Sequence, residues 1–290
     1  MEENIMKKII SMALAILMLV GCVAAFASCG DKKGVKVIDI PLSEEEYAFA
    51  VNKTDAELLT KVNEYLKKIE EDGTFAEICD RYFGEGTPVK IESAKLDTAK
   101  DQLVVATSTG FAPFEMVDES GKFYGIDLEI AAGLAEYLGK ELVIDDMKFE
   151  SVVTSVQTGK CDIAMAGLTI TPAREAMVTF SDSYYNASQV LIVNEDDTTF
   201  DECETAEDIV AILDTLTTET KIGCQTGTTG EIYITGDLDN PDGYGFKGIP
   251  AEKKGFDYAA LAVTAMRNGE IDFVILDNAP AKTIADSVNK

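Results

Sequence analysis

The chain contains no histidine and no tryptophan. Without an imidazole there is no histidine general base, no Ser–His or Cys–His nucleophile and no His-ligated metal. Positive charge is scarce as well: 25 Lys and Arg stand against 52 Asp and Glu, a formal net charge of −27 at pH 7. Such a surface repels nucleic-acid backbones and favours solubility, and says nothing about fold. The six cysteines include no Cys-x-x-Cys pair, which argues against zinc. Cys161 and Cys224 head apolar strands and read as small buried hydrophobes, while Cys79 and Cys203 give no pairing signal. No cofactor and no metal are expected. A sensor or adhesin module is not expected, since neither a fused transmembrane signalling domain nor a sticky apolar surface is read in these residues.

What is present begins with a targeting pattern. Residues 1–34 read as a signal peptide, lipobox and tether: Lys7 and Lys8 precede an apolar run from Ile9 to Val20, and small residues follow. Met6 is an alternative start, because Glu2 and Glu3 sit where positive charge is expected. Two cysteines end lipobox-like stretches, Leu19-Val20-Gly21-Cys22 and Phe26-Ala27-Ser28-Cys29. The first fits the box better, but the second leads into the polar Gly-Asp-Lys-Lys-Gly. The reading favours Cys29 as the lipidated residue, with Cys22 as the alternative. An uncleaved membrane anchor over residues 9–27 competes with both. Either way the folded part is expected outside the cytoplasm, held at the outer face of the cell membrane.

Residues 35–84 read as a strand (35–40), a turn, an extended YAFAV (47–51) and two helices. The first helix starts near Thr54, with Leu58, Leu59, Val62, Leu66 and Ile69 at three- and four-residue spacing; Gly84 closes the second. Residues 85–100 are polar, contain Gly86 and Pro88, and read as a linker. Strands and helices then alternate: strand 103–107, helix 126–138, strand 142–144, helix 151–157, a buried strand from Cys161, a helix from Pro172, and an extended 189–193. The alternation resumes with helix 206–213, strand 221–224, a helix start at 226–231, helix 258–267, strand 273–276 and a last helix at 280–288. Two sets of strand–helix–strand units predict two α/β lobes with largely parallel sheets.

Several stretches carry chemistry. In CDIAMAGLTITPAREAMVTFSDSYY (161–185) a strand end meets a helix start, with Thr171 as the expected N-cap, Pro172 at the first helical position and Arg174 in the first turn. Backbone N–H groups around Gly167, Leu168 and Thr169, the Thr169 hydroxyl and the guanidinium then share a small volume suited to a carboxylate. On spacing alone an ordinary joint with a solvated arginine is the better explanation. TSTGFAPF (107–114) leaves a strand end, where ligands of α/β sheets gather. QTGTTG (225–230) lacks the Gly-Lys-Ser/Thr ending of a P-loop and reads as a Thr-rich cap. Paired with Arg174, though, Thr228 and Thr229 would meet the same carboxylate. Asp277 ends an apolar strand, where an acid is costly unless paired; an α-ammonium or a local helix cap would answer.

Gly-Leu-Thr-x-Thr-x-x-Arg (167–174) followed by Phe-Ser-Asp-x-Tyr-Tyr (180–185) resembles the signature of the family 3 bacterial extracellular solute-binding proteins. The likeness covers most of the chain after residue 34. It implies a two-lobed periplasmic-binding-protein (Venus flytrap, type II) fold with hinge crossings at 184–190 and 47–52. The implied function is capture of a free α-amino acid by lobe closure, for an ABC permease and ATPase. The resemblance assigns the carboxylate to Arg174, Thr169 and the Thr228–Thr229 region, and the ammonium to Asp277 and the backbone near Gly167 and Leu168. It assigns side-chain selectivity to Ser108, Phe111, Phe149 and Gln225, Phe149 being as readily a core residue. Relatives selecting cationic side chains carry an acid where Ser108 stands, so a neutral polar amino acid is expected. A monomer without nucleic acid follows. The rival is an exported dehydratase-like enzyme acting on a prearomatic amino acid, but no acidic pair stands out to serve it.

Chain order departs from the family. There the equivalent of strand 103–107 opens the mature protein and a piece like 35–83 closes it; here that piece comes first. The resemblance therefore implies a circular permutation, with the old termini bridged by 85–100, a stretch able to span roughly 50 Å at ~3.3 Å per residue. The implied organisation is tether 1–34, part of lobe 2 at 35–46, and a hinge strand with lobe 1 helices at 47–84. After the linker 85–100 come the main part of lobe 1 (101–190) and the main part of lobe 2 (191–290). A domain-swapped dimer, in which 35–84 completes a neighbour, is the alternative.

Overall fold

The structure is a computed structural model and describes residues 33–240 and 243–290. The expected leader and both candidate lipidation cysteines, Cys22 and Cys29, lie outside the described residues. In order, the chain forms β1 (Val35–Ile38), β2 (Glu45–Tyr47), β3 (Ala50–Val51), α1 (Ala56–Glu71), α2 (Thr74–Phe83), β4 (Gln102–Thr107), β5 (Met116–Val117) and β6 (Phe123–Tyr124). It continues through α3 (Ile126–Leu138), β7 (Glu141–Asp146), α4 (Phe149–Gln157), β8 (Ile163–Ala164), α5 (Pro172–Glu175), β9 (Thr179–Phe180), β10 (Tyr185–Ala187) and β11 (Gln189–Asn194). The rest is α6 (Ala206–Leu213), β12 (Lys221–Gln225), α7 (Thr229–Thr235), β13 (Glu252–Phe256), α8 (Ala259–Arg267), β14 (Phe273–Asp277) and α9 (Asn278–Val288).

Two five-stranded sheets organise these elements into two lobes, β7-β4-β8-β3-β9 in lobe 1 and β1-β11-β14-β12-β13 in lobe 2. Both sheets are mixed rather than largely parallel. β4 runs parallel to β7 and β8, but β3 pairs antiparallel with β8 and β9. Likewise β12 is parallel to β13 and β14, whereas β11 is antiparallel to β1 and β14. The antiparallel members flank the places where the chain passes between lobes. There are two such crossings, β2 and β10, and they pair antiparallel with Tyr47 opposite Tyr185 and Glu45 opposite Ala187.

Helix α1 illustrates how sequence becomes packing. Asp55 caps it by accepting the Leu58 N–H, and its three-and-four pattern buries Val62, Tyr65, Leu66 and Ile69. Each such aliphatic side chain contributes roughly 1.5–3 kcal/mol on leaving water. Residues 85–100 contain no helix or named strand, yet they are not slack: Ile91 is buried and bridges to Phe123, and the Ala94 N–H donates to Leu142 O. At the other end of the described chain, the Val35 N–H donates to Asn289 Oδ1 (2.9 Å) and Asn289 Nδ2 donates to Val35 O (2.7 Å), joining β1 to the close of α9. Cys79, Cys161, Cys203 and Cys224 are all unpaired. No helix among the described residues is long and apolar enough to cross a membrane.

Candidate functional site

Arg174 is placed by a one-turn helix. Pro172 starts α5, and Thr171 Oγ1 accepts the Arg174 N–H at 3.2 Å. The helix expected from Pro172 is a single turn, because the chain turns into β9 at Thr179. The Arg174 side chain is buried: Nη1 donates to Thr169 O (2.7 Å), Nη2 donates to Gly227 O (3.1 Å), and the guanidinium lies 5.3 Å from the Phe149 ring centroid. Among the described residues no carboxylate comes within ion-pair distance of it. Burial pulls its pKa down to about 10.

Facing it, Asp277 closes β14 with 3% of its surface exposed. The Tyr47 hydroxyl donates to its Oδ1 at 2.6 Å. Burial, reinforced by repulsion from Glu45, raises the Asp277 pKa to about 7. Between these two groups lies a narrow cavity of about 10 Å³, room for roughly one water with the walls as they stand. Its walls combine Phe111, Phe149, Gly167, Thr169 and Arg174 from lobe 1 with Gln225, Thr228, Thr229 and Asp277 from lobe 2.

Two expected site residues lie off these walls. Leu168 is buried in the apolar cluster of Val152 and Val178, and only its carbonyl is engaged, by the Ala48 N–H. Ser108 is 1% exposed and its hydroxyl finds no partner. Phe149, read evenly as core or site, opens α4 and does both: it packs on the cluster and faces the cavity. Gly167 sits at φ +52°, and a Cβ there would come within 2.8 Å of the Phe111 ring, so glycine answers both backbone and close approach.

Sequence reasoning missed the groups beneath the walls. Glu45 was hidden in Glu44-Glu45-Glu46; the signal was strand alternation, since Glu45 and Tyr47 are buried and Glu46 is exposed. Its Oε2 accepts the hydroxyls of Thr169 (2.8 Å) and Thr229 (2.7 Å), so those hydroxyls are directed away from any ligand. The Thr169 N–H is directed differently. Thr169 faces Tyr47 in an antiparallel bridge whose bonds run through Ala48 and Ile170, leaving its own N–H and C=O on the opposite side. Glu115 follows Phe114 and is fully buried with both carboxylate oxygens unpartnered; burial and repulsion from Asp127, Asp277 and Asp146 push its pKa well up. Asp127, at the start of α3, accepts the Gly167 N–H (2.8 Å) and the Tyr184 hydroxyl (2.7 Å), and burial raises it to about 7.

Residues 103–256 match the family described as bacterial extracellular solute-binding proteins, family 3. The chain belongs to that family. The arginine-binding extracellular protein ArtP of Bacillus subtilis (strain 168) is 35% identical over 100 residues, covering 34% of this chain and 39% of the relative. The arginine-bound Gly52Ala mutant of ArgBP from T. maritima is 32% identical with a TM-score of 0.51, covering 64% of this chain and 78% of that one. An ancestral amino acid-binding protein, AncCDT-1, a precursor of cyclohexadienyl dehydratase, is 27% identical with a TM-score of 0.55, covering 74% and 78%. This family 3 chain spans 39 to 65% of the length of the curated relatives it matches first.

Proposed function

We propose that this protein captures a free α-amino acid outside the cytoplasm and delivers it to an ABC permease and its ATPase. The observation that carries the reading is a pair of buried, mutually unpaired opposite charges on facing walls of one cavity, Arg174 from lobe 1 and Asp277 from lobe 2. Either group alone is costly to bury, and a zwitterion satisfies both at once. The carboxylate meets the Arg174 guanidinium and the Thr169 N–H; the ammonium meets Asp277. A ligand touching both lobes favours the closed state.

The side chain is proposed to be basic. Ser108 is neutral, which points to a neutral polar ligand; Glu115, buried off the cavity walls but within electrostatic reach of Asp277, is proposed as the acid instead. A fully buried carboxylate with no partner is relieved by a cationic side chain. The arginine-binding names of the relatives agree. Thermal-shift screening against the twenty amino acids tests this: L-arginine and other basic amino acids raise the melting temperature most. Arg174→Ala abolishes that shift without unfolding the protein, and unchanged affinity by calorimetry refutes the assignment. Turnover of the bound amino acid would favour the exported dehydratase-like enzyme instead.

The lipid anchor at Cys29 or Cys22 belongs to the same reading, as does the circular permutation. Two features support the latter: the hydrogen bonds joining Val35 to Asn289, and residues 85–100 running over lobe 1 between α2 and β4.

A further inference from the structure

We propose that Glu45 is a positioning residue that draws the two halves of the cleft together whether or not a ligand is present. It lies on β2, one of the two crossings, and is 3% exposed. One of its oxygens, Oε2, receives the Thr169 hydroxyl at 2.8 Å and the Thr229 hydroxyl at 2.7 Å. Thr169 follows β8 in lobe 1; Thr229 opens α7 in lobe 2. The other oxygen, Oε1, receives the Ser43 hydroxyl (2.8 Å) and Gln189 Nε2 (3.0 Å), and that same amide reaches Thr229 Oγ1 at 3.1 Å. Four donors therefore converge on one buried carboxylate, and two of them come from opposite walls of the cavity.

An ionised carboxylate is the side chain that accepts all four without offering a proton of its own. Its carboxylate also lies within electrostatic reach of the buried Arg174 guanidinium, which it favours in the cationic form. Separating the lobes breaks at least one of the two threonine bonds, so the bridge raises the closed fraction of the ligand-free protein. Apparent affinity scales with that fraction, which makes Glu45 a determinant of affinity that does not touch the ligand.

The test is hydrogen exchange by mass spectrometry on the full chain without ligand, comparing wild type, Glu45→Ala and Glu45→Gln. The Ala variant is expected to speed exchange about 10-fold or more in segments 167–170 and 226–232 together, and Gln, which keeps one acceptor oxygen, falls between. No change in those segments, or change confined to 42–50, overturns the proposal. Titration with L-arginine gives a second arm, resting on the amino-acid reading: affinity drops about 10- to 100-fold in Glu45→Ala and less in Glu45→Gln, whereas unchanged affinity overturns the proposal. If wild type binds no amino acid, the amino-acid reading falls and the exchange arm alone decides. If Glu45→Ala fails to fold, seen as unprotected amides throughout α1, Thr229→Val replaces it in both measurements because it removes one half of the bridge.

Discussion

Lowering the pH from 8 to 5 is expected to weaken amino-acid binding in a way set by Asp277. Burial, with repulsion from Glu45, raises this carboxyl to about 7, so near neutrality it is roughly half protonated. An ammonium needs the ionised form. The proton must therefore leave on binding, and the apparent dissociation constant is multiplied by 1 plus 10 to the power of pKa minus pH. That factor is ~1.1 at pH 8, ~11 at pH 6 and ~100 at pH 5, about 1.4 kcal/mol per pH unit below 7. The sign is that of an acid with a raised pKa: affinity is full above 7 and lost as pH falls. Calorimetry with L-arginine in buffers of different ionisation enthalpy reads both the constant and the released proton, close to one per ligand at pH 6. If a cationic side chain also ionises Glu115, a second proton leaves and the slope steepens. Asp127 sits near 7 too but faces Gly167 and Tyr184, so Asp127→Asn keeps the slope. A constant that stays flat between pH 8 and 5.5, or proton uptake on binding, refutes the reasoning.

Other consequences are open to direct measurement. Glu115→Gln should cost basic amino acids at least ~10-fold in affinity while leaving neutral polar ones within about 3-fold, as read by parallel titrations; equal losses would sever Glu115 from selectivity. Gly167→Ala, at positive φ and against the Phe111 ring, should lower stability by more than about 1 kcal/mol in urea denaturation. If the chain is a circular permutant, a protease site placed in residues 85–100 can be cut in a monomer with arginine binding preserved. Separation of the fragments or a dimeric mass before cutting would instead indicate the swapped arrangement.

Legibility in the sequence followed the strength of local punctuation. Helix α3 spans the expected 126–138 because Gly125 precedes it and Gly139, at φ +71°, ends it. α6 is likewise as expected, bounded by a Thr205–Asp208 capping box. β13 was invisible because Glu252-Lys253-Lys254-Gly255-Phe256 is an edge strand: among the described strands it pairs only with β12, and none of its five residues is fully buried. The cavity walls were mostly legible, since Arg174, Asp277 and the threonines stand at element ends where a motif shows. Glu45, Glu115 and Asp127 were not, because a carboxylate in an acid-rich chain looks alike whether solvated or sealed. Only the packing of distant elements, Tyr184 onto Asp127 for instance, separates the two cases.

The unpaired thiols bear on how such a chain would fare in an oxidising milieu. Burial pushes Cys79 up to about 11 and Cys224 up to about 12, and raises Cys161 and Cys203 as well. Sulfur attacks sulfur only as the anion, so lifting each acidity constant starves exchange of its nucleophile at neutral pH. A protein carrying no cystine among its described residues can in this way tolerate an environment that would scramble exposed cysteines. For the described cysteines, resistance to exchange would then rest on protonated sulfurs rather than on cross-links.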